Sequence, residues 1–396
     1  MKVLYITYEN LYKTAILQAM VVKPLDLMSK KYKVDFTITS SMKSFENDDI
    51  YMLNKKYVQE NTTLSVKEFE KNLTSKQSIL RYVKDIIPMI RYSIAQAKKS
   101  DMIHCRSYGG AMIGLVASVF SGKPFIFDMR GVLPEETVDV GKISKSSLKF
   151  KLMKFVEKIL INKSAYVFTV SEKFNDYIQH DFKKKKSINI NNPTDFSKYY
   201  KDKRDDGKIN FIYSGSMQIW HLPELTIEYF DKIQKIYGEK VYLYFCTNDI
   251  GKAESIFQKF AIPSSSYEIN TVPFENMSEY YAKADIAFCL IKESFSKSVC
   301  FPVKFSEYIA SNLYIIGNKN IGDIDQIIED YSCGIVLDDI NDINSNIKEL
   351  SVVIDRMLDN QYKNYNRNDL SFLDWNEIGI KKIHSAYLEI IAGSKK

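Results

Sequence analysis

Cysteine, histidine and tryptophan are thinly used. Five cysteines, Cys105, Cys246, Cys289, Cys300 and Cys333, lie far apart and form no Cys-x-x-Cys. Neither a disulfide framework nor a zinc site of ordinary spacing is expected. Four histidines leave little material for metal catalysis, and no metal site is expected. No apolar run approaches the roughly 18 to 20 residues of a membrane span. The opening MKVLYITYENLYK has the text of a strand followed by polar residues rather than of a signal peptide, so the expected location is the cytosol. The loop Tyr8 to Thr14 contains no glycine, and a dinucleotide fingerprint would need them there, so a bound NAD is not expected.

A large excess of one charge is also missing. Lys and Arg number 55 against 49 Asp and Glu, for a net charge of +6. The imbalance is local. Between Lys142 and Lys163 seven lysines (Lys142, Lys145, Lys149, Lys151, Lys154, Lys158, Lys163) meet one acid, Glu157, among Leu148, Leu152, Phe155, Val156 and Ile159. Such a basic amphipathic stretch has two readings, a surface that docks on an anionic membrane and an ordinary solvated helix face. No recognition motif accompanies the charge, so nucleic acid is not expected as a partner. With 45% hydrophobic and 26% charged residues the composition is that of a globular protein, and 396 residues suit two domains, each with its own core.

Taken in order, the pattern alternates strand and helix. KVLYIT (Lys2 to Thr7) is a buried type of strand and Ala15 to Ser29 has helical periodicity, the opening of a Rossmann-like domain. Val34 to Thr39 is the next strand, and Ser41 to Lys76 reads as a loop-rich insertion. Ile79 to Lys99 is a helix, Met102 to Cys105 a strand, and Gly109 and Gly110 open an apolar helix. Phe125 to Asp128 is a strand followed by MRGVLPEE. Ligands of open α/β sheets gather at the carboxyl ends of strands, which makes Arg106, Asp128, Arg130, Glu135 and Glu136 candidate site residues; a plain ion pair is the competing reading of Asp128 and Arg130. The charged stretch KDKRDDG (Lys201 to Gly207) marks a domain boundary. Ile209 to Ser214 then opens a second β/α series, with Gly215 beginning a turn into a helix at Pro223 to Ile236.

The most informative text is VCFPVKFSEYIASNLYIIGNKNIGDIDQIIEDYSCGIVLD, from Val299 to Asp338. Pro302 suits a helix start, so Lys304 and Glu307 sit near a positive helix end, where an anion is favoured. A short apolar strand, two punctuating glycines (Gly317, Gly322) and a further helix follow. This order resembles the nucleotide-sugar signature of retaining glycosyltransferases of family 4, of the kind that builds bacterial capsules, O-antigens and other surface polysaccharides. Glu307 matches the second glutamate of that signature and Lys304 its lysine, in "P-x-K-x-x-E-Y-x-A"; the first glutamate would fall on Val299. FIYSGSMQIWH resembles the family's phosphate loop, and VPFENMSEYYAKADIAFCLI its "V-x-x-x-x-M-x-x-Y-x-x-A-D-I" text. Gln218, Trp220 and His221 occupy the region where relatives carry an Arg and a Lys. Trp220 reads equally as packing and His221 as a surface cap.

The resemblance implies the GT-B fold: two facing Rossmann-like domains with parallel sheets, spanning residues 1–200 and 208–375, and a C-terminal helix, 376–396, crossing back to the first. It further implies a metal-independent hexosyltransferase-like enzyme whose co-substrate is a nucleotide-sugar, with no separate cofactor. Ser214, Gly215, Ser216, Lys304 and Glu307 would hold the donor. Asp128, Arg130 and Lys304 would serve catalysis, with Arg106, Glu135 and Glu136 for the acceptor, a glycan or a lipid-linked glycan. Asp128 stands where many relatives carry a histidine facing the donor sugar. Two alternatives remain open on the text alone, a sugar-nucleotide epimerase of the same fold and a noncatalytic partner in polysaccharide assembly.

Overall fold

Runs of apolar residues that are covered on both faces form the strands, as parallel sheets require. A computed structural model describes the chain except for residues 14, 43–48, 71–78, 185, 200–206 and 394–396. It divides into two units, Met1–Pro193 together with Trp375–Lys396, and Thr194–Asp374. Most of the charged stretch expected to mark the boundary, 201–206, lies outside the described residues. The division falls earlier because Thr194 already belongs to the second unit: its N–H donates to the Leu373 carbonyl at 2.9 Å and it bridges to Asp374.

The first unit carries β1 (Lys2–Thr7), β2 (Asp35–Met42), β3 (Ser65–Glu70), β4 (Met102–Arg106), β5 (Phe125–Asp128), β6 (Tyr166–Thr169) and β7 (Ser187–Asn189). They form a seven-stranded sheet in the order β3-β2-β1-β4-β5-β6-β7, with every pairing parallel. The strand order reverses direction between β1 and β4, and polar residues that end those strands are where a doubly wound sheet gathers its ligands. The second unit repeats the plan with β8 (Ile209–Ser214), β9 (Val241–Cys246), β10 (Tyr267–Asn270), β11 (Ile286–Phe288), β12 (Tyr314–Asn318) and β13 (Gly334–Leu337), ordered β10-β9-β8-β11-β12-β13 and again all parallel. Phe211, Phe230, Leu243, Phe245, Phe288 and Ile316 are central to its core.

One expectation is corrected. The stretch read as a loop-rich insertion holds a helix, Asp49–Asn61, and the edge strand β3. Its text, SVKEFE, hid the strand because an edge strand is covered incompletely, and Val66 and Phe69 are its two apolar residues. The C-terminal segment does return to the first unit. Trp375 is buried there, and the helix Ile380–Gly393 buries Ile383, Ala386, Tyr387 and Ile390.

Close packing of the helix Ser107–Ser121 on β1 depends on Gly110. A β-carbon there would lie 2.5 Å from the Ile6 carbonyl oxygen, a backbone atom that cannot rotate away. We expect Gly110→Ala to push this helix off the sheet and to cost about 1–3 kcal/mol, read as a lower denaturant midpoint with an unchanged slope. An unaltered midpoint would show that the helix start has room to move.

Candidate active site

In the second unit the turn after β8 is built by aromatic packing. Tyr213 stacks on Phe245 with ring centroids 4.4 Å apart, and its hydroxyl donates to the Ser216 carbonyl at 2.9 Å. A β-carbon on Gly215 would meet that hydroxyl at 2.5 Å, so the turn needs glycine there. The Gly215 N–H extends the ladder by donating to the Cys246 carbonyl at 3.0 Å and is not available to a ligand. The exposed Ser216 carries the next N–H of the turn.

The helix Val303–Ala310 starts after Pro302 and places Lys304 and Glu307 in this neighbourhood. Glu307 is buried. The Tyr281 hydroxyl donates to its Oε2 at 2.8 Å, the Ser214 hydroxyl lies 3.1 Å from the Tyr281 oxygen, and the Tyr199 ring lies 5.9 Å from that of Tyr281. Burial pushes Glu307 above the ordinary carboxylate range, against the opposing pull of Tyr281 and Lys304. Lys304 makes no hydrogen bond or ion pair among the described residues. Its ammonium lies 6.0 Å from the Tyr213 ring centroid. Burial lowers its pKa to about 8, only partly offset by Glu307.

Trp220 and His221 border the same region. The Lys297 ammonium sits over the Trp220 ring at 4.4 Å, and His221 is pushed down to about 4 by burial and then by Lys304 and Lys297. His221 is no cap, since the helix Pro223–Tyr237 has no side-chain cap. Two lysines and a neutral imidazole thus stand where the text lacks an Arg and a Lys.

In the first unit Arg106, Asp128 and Arg130 come together at the ends of β4 and β5. Arg130 Nη1 donates to Asp128 Oδ1 at 3.2 Å, and its other nitrogen bonds Asn192. Arg106 Nη1 lies 3.8 Å from Asp128 Oδ2, while its Nε donates to Glu9 at 3.0 Å. His104 Nε2 approaches the same Asp128 oxygen at 3.7 Å. Burial pushes the Asp128 carboxyl up, but Arg130, His104 and Arg106 outweigh it and hold the group well below its usual range. His104 is held down by burial despite Asp128, and is neutral near pH 7.

Glu135 takes a different place. It pairs with Lys154 at 2.9 Å, and Lys154 also binds Glu157 and the Tyr177 hydroxyl. Tyr108 donates to the same Glu157, closing a buried network among helices. Glu136 lies against Gly131. Sequence reasoning missed Glu9, Asn192, Tyr199, Tyr281 and Tyr387 as members of these clusters. Tyr281 lies within the VPFENMSEYYAKADIAFCLI text, where the motif draws attention to its neighbour Tyr280 instead. Among the described residues no group of three or more His, Cys, Asp or Glu side chains is arranged to hold a metal ion.

No family model and no curated protein matches the sequence. Solved structures do match in shape. Sucrose-phosphate synthase from Thermosynechococcus elongatus aligns over 99% of this chain and 100% of its own, with a TM-score of 0.72 at 11% identity. The Anabaena protein HepE, in complex with UDP and glucose, aligns over 97% of this chain and 99% of its own, with a TM-score of 0.67 at 12% identity. WaaG, a glycosyltransferase involved in lipopolysaccharide biosynthesis, aligns over 98% and 99%, with a TM-score of 0.64 at 10% identity. The chain has the GT-B fold. Both Rossmann-like units and the returning C-terminal helix agree with the architecture that the text implied.

The Asp128 cluster makes a prediction about stability. A carboxyl whose folded pKa lies below its unfolded value of about 3.9 adds stability above that value, and the contribution is lost as pH falls. Asp128→Asn should therefore lower the melting temperature at neutral pH, with the gap to the unsubstituted protein closing as pH drops below about 4. A gap independent of pH would mean that Asp128 is not a stabilised anion.

Proposed function

We propose that the chain is a glycosyltransferase that moves a sugar, with retention, from a nucleotide-sugar to a glycan or lipid-linked acceptor in surface-polysaccharide synthesis. The observation that carries this reading is Lys304, a half-buried ammonium that makes no ion pair among the described residues and stands beside the Ser214–Ser216 turn and Glu307. A cation removed from water is costly unless something balances it, and the donor's diphosphate is the anion that suits. Lys297 supplies a second positive charge nearby. Glu307 has accepting capacity left after its tyrosine contacts, since an ionised carboxylate offers about four lone-pair sites, and vicinal ribose hydroxyls would take it. The order of motifs and the likeness in fold to HepE, solved with UDP and glucose, support the assignment.

In this reading Lys304 stabilises the charge that develops on the leaving diphosphate, and no metal is needed for that task. As the resemblance implies, the leaving phosphate helps to deprotonate the acceptor on the same face of the sugar, so a dedicated protein base is unnecessary. Asp128 and Arg130 orient the sugar or the acceptor, with Arg106 behind them. Incubation with a panel of nucleotide-sugars, followed for nucleotide release, tests the activity. An epimerase would return an altered sugar nucleotide, and a noncatalytic partner would leave every one intact. Activity should survive a chelator; loss that magnesium or manganese restores would contradict the role given to Lys304.

The basic helix is assigned to the membrane that would carry a lipid-linked acceptor, on its cytoplasmic face. On the helix Leu148–Lys163 the residues Leu148, Leu152 and Phe155 are exposed by 82%, 59% and 62%. Lys154 turns inward to Glu135 and Glu157, leaving Lys142, Lys145, Lys149, Lys151, Lys158 and Lys163 outside. No helix among the described residues is long and apolar enough to cross a membrane. A basic surface with outward apolar side chains suits shallow insertion among anionic headgroups, and each lysine near such a surface contributes about 1 kcal/mol.

Two further outcomes are expected. Affinity for the matching nucleoside diphosphate, measured by calorimetry, should fall as pH rises through about 8, because Lys304 then loses its proton. Lys304→Met should bind more weakly and abolish that pH dependence; an identical pH profile would remove Lys304 from the diphosphate site. The chain should sediment with anionic vesicles at low salt and be released by high salt, with Leu152→Ser/Phe155→Ser weakening attachment. Equal binding to neutral vesicles, or none to anionic ones, would return the helix to an ordinary solvated face.

A further inference from the structure

Tyr387 stands on the C-terminal helix, 283 residues from His104 in sequence, and is fully buried. Its hydroxyl lies 2.6 Å from His104 Nδ1. The other ring nitrogen, Nε2, is 3.7 Å from Asp128 Oδ2 and has no hydrogen-bond partner among the described residues. Around the imidazole stand the Tyr5 ring at 4.7 Å, the Phe168 ring at 5.4 Å, and the charges of Arg106, Asp128 and Arg130. A neutral imidazole carries one N–H. Beside a carboxylate, the nitrogen that faces the anion keeps the proton, because a lone pair there would be repelled. Nδ1 is then an acceptor, and the phenol O–H is the donor that matches it.

We propose that Tyr387 is a positioning residue: by donating to Nδ1 it locks His104 in the Nε2–H form, which aims an N–H at Asp128 and holds that carboxylate in place. The consequence for function rests on the reading of Asp128 as part of the transfer site. The segment that crosses back from the second unit thereby completes a polar cluster of the first. Without it, the Nε2–H form would rest on Asp128 alone, which at 3.7 Å is too far for a hydrogen bond.

Nitrogen-15 NMR of the full chain labelled at histidine decides the structural part. The chain has four histidines, and His104 is assigned by the signal lost in His104→Gln. The expected result is a protonated Nε2 and a bare Nδ1 in the unsubstituted protein, shifting toward the Nδ1–H form in Tyr387→Phe. A Nδ1–H tautomer in the unsubstituted protein, or no change in Tyr387→Phe, would overturn the proposal. In the transfer assay Tyr387→Phe should lower kcat about tenfold, the worth of roughly one hydrogen bond, with donor KM unchanged. It should add nothing in a His104→Gln background; an equal further loss there would also overturn it. If no nucleotide-sugar is turned over at all, the functional reading fails while the tautomer measurement still stands on its own.

Discussion

A charge taken out of water must be balanced, and the two units meet this constraint in opposite ways. In the first, the Asp128 carboxylate is surrounded by Arg130, Arg106 and His104, so the anion is satisfied within the protein. In the second, the Lys304 ammonium is half buried and has no anion within ion-pair distance among the described residues, and its pKa sinks to about 8. A site that is electrostatically complete before a ligand arrives can orient neutral groups. One that is incomplete is stabilised by the ligand itself. The pairing of a preorganised cluster with an unbalanced cation is what gives the proposed transfer its physical basis.

Both sites depend on the same backbone rule. Parallel strands point their carboxyl ends one way, so Arg106 and Asp128 end neighbouring strands of the first sheet, and Ser214 ends the first strand of the second. Gly110 lets the helix Ser107–Ser121 approach β1, and Gly215 leaves room for the Tyr213 hydroxyl in the turn after β8. Aromatic residues finish the second site. Tyr213 stacked on Phe245 shapes the turn, and Tyr281 ties Ser214 to Glu307.

Much of this was legible because covered strands are written as apolar runs: KVLYIT and INFIYS announce β1 and β8 unaided. The edge strands β3 and β7 were not, since SVKEFE and SIN lack the second covered face that makes a run continuous. Lys304 and Glu307 could be singled out because a single short helix carries both. Asp128 and Arg130 were visible for the same reason, being two residues apart. Their competing reading as an ion pair agrees with the geometry, and the structure places Arg106 and the neutral His104 beside that pair. The His104–Tyr387 contact had no local signal, because it joins residues 283 apart in the chain. Glu135 shows the converse limit: an acid expected at the site pairs instead with Lys154, one of the seven lysines of the basic stretch.

The central claim is that a nucleoside diphosphate is held by the second unit at Lys304 and the Ser214–Ser216 turn. Hydrogen–deuterium exchange of the full chain, with and without the nucleoside diphosphate released in the donor panel, tests it most directly. The account predicts slowed exchange in the segment from Ser214 to Met217 and at the start of the helix Val303–Ala310, lost in Lys304→Met at the same ligand concentration. Protection confined to the first unit, or protection of the second that is indifferent to Lys304→Met, would contradict it.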